Sequence, residues 1–143
     1  MQMDPQQVVR RFYTLAWNEG SFDDARSLLD PDLVDHDPLP VPGVRSGAAG
    51  LVDVIGLIRT GLPDLSRTIE VQVGRDDMVA TRFVDEGTHL GELFGIAPTG
   101  RRIRVVGINI ERIVDGRIVE IWHVEDIAGL MAQIGGTVSD SVA

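Results

Sequence analysis

Cysteine is absent from the 143 residues, which removes disulfides, thiol nucleophiles and Cys-ligated zinc together. Positive charge is in short supply. The formal net charge of −9 disfavours nucleic acid and anionic membrane as partners, because both repel an acidic surface. The longest apolar runs fall far short of a membrane span. The opening stretch, MQMDPQQVVRRFYTLAW, lacks a basic segment followed by a long apolar one, so no signal peptide is expected and a soluble cytoplasmic protein is the expectation. No serine sits in a G-x-S-x-G elbow, and the glycines of GVRSGAAG and GELFGIAPTG match neither the P-loop nor the dinucleotide fingerprint. Histidine occurs three times, at 36, 89 and 123, never at the i, i+4 spacing of a helical zinc site, so no metal centre is expected.

What is present is enough apolar residue, 43%, to build the core of one domain. The first half reads as helical. Asp4 is a plausible N-cap with Pro5 at the first helical position, Val8, Phe12 and Leu15 share a face, and Gly20 ends the run. SFDDARSLLD offers Ser21 as the cap of a short second helix, and GAAGLVDVIGLIRTGLPD gives a third, stopped by Gly61 and Pro63. Between them PDLVDHDPLPVPGVRSG reads as a loop, with prolines at 38, 40 and 42. The second half reads as strands. SRTIEVQVG alternates, DMVATRFVDEGTH follows a turn, and RRIRVVGINIERIV joins GRIVEIWHV through Asp115–Gly116, a strong hairpin signal. DIAGLMAQIG makes a last helix, and the residues from about 136 to 143 read as a frayed tail. Helices followed by meandering strands describe an α+β domain.

Within RIVEIWHVED, Glu120, Trp122, Val124 and Asp126 share one face of a straight strand, and Val119, Ile121, His123 and Glu125 the other. On the preceding strand, Gly107, Asn109, Glu111 and Ile113 oppose Ile108, Ile110, Arg112 and Val114. Neither face is cleanly apolar, so alternation leaves open which points inward. Asn109, Asp126 and His123 are candidates for polar groups in an apolar cavity, or else solvated residues at a sheet rim. Asp126 has a competing task, since it immediately precedes IAGLMAQIG and can cap that helix. VDHDP reads as an Asx-turn with a solvated His36, or as a cavity mouth.

The order and spacing of DHDP, GLPDL, GTHLGELFGIAPTG and DGRIVEIWHVEDIAGLMAQIG resemble the SnoaL-like polyketide cyclase family, within the nuclear-transport-factor-2-like superfamily. The resemblance runs from about residue 5 to residue 135. It implies a cone-shaped curved antiparallel sheet wrapped around N-terminal helices, with an internal apolar pocket. It also implies a homodimer or tetramer formed through the outer sheet face. The implied chemistry needs neither metal nor organic cofactor: a carboxylate closes or isomerises a hydrophobic, polyketide-like carbonyl compound by acid–base, aldol-type chemistry. Asp126 matches the family's general acid/base, with Glu125 and His123 as adjacent alternatives, and its carboxylate is expected to face the cavity. Asn109, His89 and His36 would supply donors to the developing enolate, and Trp122, Phe94, Tyr13 and Trp17 would contact substrate. The superfamily also offers an epoxide hydrolase reading, through Arg82, Asp85 and Asp126, which requires a bulge to bring Arg82 and Asp85 to one face, and a non-catalytic ligand-binding dimer reading.

Overall fold

The computed structural model describes residues 3–39 and 41–135. The chain opens on α1 (Pro5–Phe12), whose capping box is complete: the Asp4 carboxylate accepts from Gln7 N at 2.9 Å and Gln7 Oε1 accepts from Asp4 N at 3.1 Å. The helix continues without a break as a π-helical segment (Tyr13–Glu19) that ends on Gly20 in the left-handed region, φ 69°. Val8, Val9, Phe12, Tyr13, Leu15, Ala16 and Trp17 are all buried, so this single run supplies much of the core. The second helix, α2 (Phe22–Arg26), is shorter than its sequence suggests, and Ser21 makes no side-chain cap bond.

Strand β1 (Leu29–Asp35) occupies residues that read partly as helix and partly as loop. It is an edge strand, which is why it tolerates Pro31 and three aspartates. After α3 (Gly47–Gly61) come β2 (Ser66–Arg75), β3 (Met78–Thr88), β4 (Arg102–Val114), β5 (Arg117–Glu125) and finally α4 (Ile127–Gln133). The five strands form one sheet in the order β1-β5-β4-β3-β2. Four of them meander antiparallel, as expected. The addition is β1, which pairs parallel to β5 and makes the sheet mixed. Between β4 and β5, Asp115 and Gly116 both take positive φ, 51° and 75°, as the two-residue hairpin requires. The expected tail from 136 to 143 lies outside the described residues.

The register sorts side chains into rows across the sheet. One row facing the helices runs Gln72–Thr81–Asn109–His123, and its neighbours run Gly74–Val79–Glu111–Ile121 and Ile69–Phe83–Gly107–Glu125. The alternation that the sequence leaves open is thereby resolved: His123 and Glu125 share the inner face with Asn109 and Glu111. Gly107 is required on this face, because a Cβ there would collide with the Phe83 ring. The rows on the outer face run Val71–Arg82–Ile108–Val124 and Val73–Ala80–Ile110–Trp122.

Candidate active site

The inner face of the sheet, α1 with its π-helical extension, α3 and the segment after β1 enclose a cavity of about 680 Å³. Most of its wall is apolar, including Phe12, Leu33, Leu51, Val54, Ile55 and Ile121. One side is not. There β4 and β5 present Asn109, Glu111, His123 and Glu125, and β1 contributes Asp35.

His123 is the centre of this polar wall. Its Nε2 lies 2.9 and 3.1 Å from the two carboxylate oxygens of Asp35, and its Nδ1 lies 3.0 and 3.1 Å from those of Glu125. A carboxylate only accepts, so both ring nitrogens must donate and the ring is an imidazolium. Burial alone would lower its pKa, but the hydrogen bonds and charges of Asp35 and Glu125 outweigh that and raise it to about 10. The local sequence builds this arrangement. His36 N donates to Ile121 O at 2.9 Å, His123 N donates to the Asp37 carboxylate at 3.0 Å, and Asp35 accepts from Asp37 N at 2.9 Å in an Asx-turn. The end of β1 is thus tied to β5, and Asp35 is delivered to the cavity.

Below His123, a second group forms around Tyr13. The Tyr13 hydroxyl donates to Glu111 Oε2 at 2.9 Å and accepts from Asn109 Nδ2 at 2.8 Å. Burial pushes the Glu111 carboxyl up to about 7, against the opposing pull of the Tyr13 hydrogen bond and the Arg67 charge. Arg67 is itself buried. It makes a two-pronged bond to Asp85, at 2.8 and 2.9 Å, and its guanidinium lies 3.8 Å from the centroid of the Trp17 ring and 3.6 Å from that of Phe83.

Several sequence expectations require correction. The Asp126 carboxylate does not line the cavity. It is exposed and caps α4, accepting from Gly129 N at 2.8 Å, because the chain has left β5 and begins to coil at that residue. His36 points to the outer face, where it stacks on Trp122 with centroids 4.6 Å apart and bonds Glu120 at 2.8 Å, so neither His36 nor Trp122 reaches the cavity. His89 is fully buried but serves the base of the 89–101 loop, where its Nδ1 accepts from Thr99 N at 3.2 Å. Phe94 sits on that loop beside a separate crevice of about 40 Å³. Asn109, Tyr13 and Trp17 do line the cavity. The epoxide hydrolase arrangement is not assembled, because Arg82 is on the outer face with Glu70 at 2.9 Å and Asp85 is bound to Arg67.

The sequence carries no signal that singles out Asp35 or Glu111. Asp35 stands in VDHDP, but the histidine beside it draws attention to the wrong neighbour. Glu111 shares a face with Asn109 by alternation, and that was its only signal. Among the described residues, no group of three or more His, Asp or Glu has the arrangement to hold a metal ion. No helix among them is long and apolar enough to cross a membrane.

A mixed sheet curled on N-terminal helices around an internal cavity with a polar wall is a cone fold, and solved structures share it. TsrD from Streptomyces laurentii superposes with a TM-score of 0.81 at 30% identity, covering 92% of this chain and 95% of that one. IdmH from Streptomyces antibioticus superposes with a TM-score of 0.78 at 34% identity, covering 93% and 99%. By sequence, the nogalonic acid methyl ester cyclase of Streptomyces nogalater is 31% identical over 121 residues, covering 84% of this chain and 90% of that protein. An aklanonic acid methyl ester cyclase of Streptomyces galilaeus is 31% identical over 129 residues, covering 90% and 88%. The profile of the SnoaL-like polyketide cyclase family matches residues 7–134. The chain belongs to that family and is an enzyme of its cyclase type.

Proposed function

We propose that this enzyme closes a ring in a polycyclic, polyketide-like ester by an aldol step, with His123 and its two carboxylates as the proton-handling centre. The observation that carries the reading is the imidazolium of His123, held between Asp35 and Glu125 on the wall of a cavity of about 680 Å³. An α-proton flanked by two carbonyl groups is acidic enough for a carboxylate to remove. Asp35 is the more exposed of the two, at 22% against 14%, and takes that proton. The enolate carbon then forms the new C–C bond to a ketone carbon, and the His123 Nε2 proton, no longer held by Asp35 once that carboxylate is protonated, goes to the alkoxide that results. Transfer of the proton from Asp35 to the imidazole restores the starting state. The 143 residues contain no lysine, so an aldol step through a lysine iminium is excluded.

Aklanonic and nogalonic acid methyl esters, the compounds for which the relatives are named, are the substrates to assay. His123→Gln is expected to lose about 10²- to 10⁴-fold in turnover, the usual span for one general acid–base group. Turnover by that variant at the wild-type rate would overturn the assignment.

Oligomerisation belongs to the same reading. Val71, Val73, Ile108, Ile110 and Val124 form a contiguous exposed apolar patch on the outer sheet face, and a second copy of the chain would cover it. A homodimer through this face is the proposed assembly, in the cytoplasm.

A further inference from the structure

Beside the proton-handling centre the cavity wall carries two buried acceptors that nothing in the protein satisfies. Asn109 Oδ1 and Glu111 Oε1 are both without a hydrogen-bond partner, and their residues are 8% and 1% exposed. They stand on adjacent inward positions of β4, and both residues line the cavity. Asn109 lies directly opposite His123 across the β4–β5 ladder. Buried polar atoms are almost always paired, so two orphans side by side on a binding surface call for a ligand group.

The surrounding donors decide what that group is. The single Tyr13 O–H is given to Glu111 Oε2, and Asn109 Nδ2 is given to the Tyr13 oxygen. Both N–H groups of His123 are directed at carboxylates. Arg67 Nη1 is a free donor, but Arg67 lines the separate crevice rather than the cavity. Above about pH 7, where Glu111 is ionised, a ligand carbonyl placed against Asn109 and Glu111 therefore meets acceptor against acceptor. A hydroxyl would find the complement it needs.

We infer that Asn109 and Glu111 form a hydroxyl-selective subsite, which sets which way round a polyhydroxylated ring system enters the cavity and so which carbon is presented to His123. This rests on the polycyclic substrate class proposed above. It adds a specificity role that is separate from the proton-transfer role of His123.

Binding is the cleanest test, because it needs no turnover. Isothermal titration calorimetry of the full chain well above pH 7, where Glu111 is ionised, with 2-(hydroxymethyl)anthraquinone and 2-methylanthraquinone compares two flat ligands that differ by one non-ionising hydroxyl. The wild type is expected to bind the hydroxymethyl compound about 10- to 100-fold more tightly, since a site built for a hydroxyl penalises the analogue that leaves its acceptors unpaired. In Asn109→Leu and in Glu111→Gln that preference is expected to shrink to about 3-fold or less, while affinity for 2-methylanthraquinone holds or improves. A merely structural role would instead weaken both ligands together, and that result counts against the subsite. Equal binding of the two ligands by the wild type overturns the subsite alone. If neither ligand binds, the polycyclic substrate class falls and the subsite with it.

Discussion

Over residues 108–111 the two faces of β4 invert the usual arrangement of a sheet. Positions that point inward include Asn109 and Glu111, whereas those that point to solvent include Ile108 and Ile110. The same inversion continues across the ladder, where inward His123 stands beside outward Val124, which is 75% exposed. An antiparallel sheet with one solvated face normally reads apolar inside and polar outside. Departures in both directions at once have separate causes. Polar groups inside are costly unless they bond each other or a ligand, which supports the proposed placing of the reaction at this wall. Apolar groups outside are costly unless another surface covers them, which is the ground for the proposed homodimer.

The comparison breaks most sharply at neighbouring residues. His123→Gln removes the proposed proton donor and is expected to cost about 10²- to 10⁴-fold in turnover of aklanonic acid methyl ester. Val124→Lys, one residue along but on the other face, is expected to leave the turnover number within about 3-fold, as surface changes usually do. Steady-state rates of the two variants, measured side by side, check whether function follows the face rather than the sequence neighbourhood.

The next effect is on stability and separates the two titrating groups of the inner face. Glu111 has a folded pKa of about 7, raised above its ordinary value, so the folded state holds the proton more tightly than the unfolded one. Stability is therefore lost as pH rises from about 4.5 to about 7, by roughly 3 kcal/mol for a shift of this size. His123 has the opposite charge type. Its raised pKa contributes stability that is whole below about 6.5 and is lost as pH rises towards about 10. Urea unfolding across that range is expected to show Glu111→Gln flattening the acidic limb relative to wild type, and His123→Gln flattening the alkaline limb. Parallel curves for wild type and Glu111→Gln below pH 7 would contradict the buried-carboxyl account.

On the outer face, the double variant Val73→Asp, Val124→Asp places two charges in the apolar patch. It is expected to weaken self-association by about 100-fold or more, roughly 1.4 kcal/mol for each tenfold step. Sedimentation velocity over a concentration series reads that shift, and far-ultraviolet circular dichroism should be unchanged. A wild type that is monomeric at every concentration would remove the association role from this face.

Much of the fold was legible in the sequence because it is written in strong local signals. The Asp4–Pro5 start, the Gly20 and Gly61 stops and the Asp115–Gly116 hairpin all hold, and β2 through β5 are strands, but a bulge between Ile69 and Val71 turns Ile69 inward while Val71 and Val73 face out. Strand β1 was hidden because an edge strand with a proline and three aspartates carries no β-signal of its own, and its pairing partner is some ninety residues away. The site was less legible for a related reason. Alternation groups residues into faces but does not orient the faces, and here both faces of β4 and β5 mix polar with apolar. The family resemblance points to Tyr13, Trp17 and Asn109, which line the cavity, yet Asp35 reaches His123 only through the parallel pairing of β1 with β5.

The smallest effect falls on the residue that lies between the two regimes. Asp126 follows the inward Glu125 in sequence, but its carboxylate has turned to the backbone N–H of Gly129 and satisfies one of the free donors at the start of α4. Gly129 is fitted to that role, since a side chain there would strike the Asp126 carboxylate. Asp126→Ala is expected to cost about 1 kcal/mol of stability, the usual price of an N-cap, with a lowered midpoint of thermal unfolding. Asp126→Asn keeps a capping oxygen and should recover most of the loss. Turnover should stay within about 3-fold in both, because a helix cap outside the cavity touches no substrate. A loss of activity in Asp126→Asn comparable to that of His123→Gln would instead return the acid–base role to Asp126, and would require the end of β5 to rearrange when substrate binds.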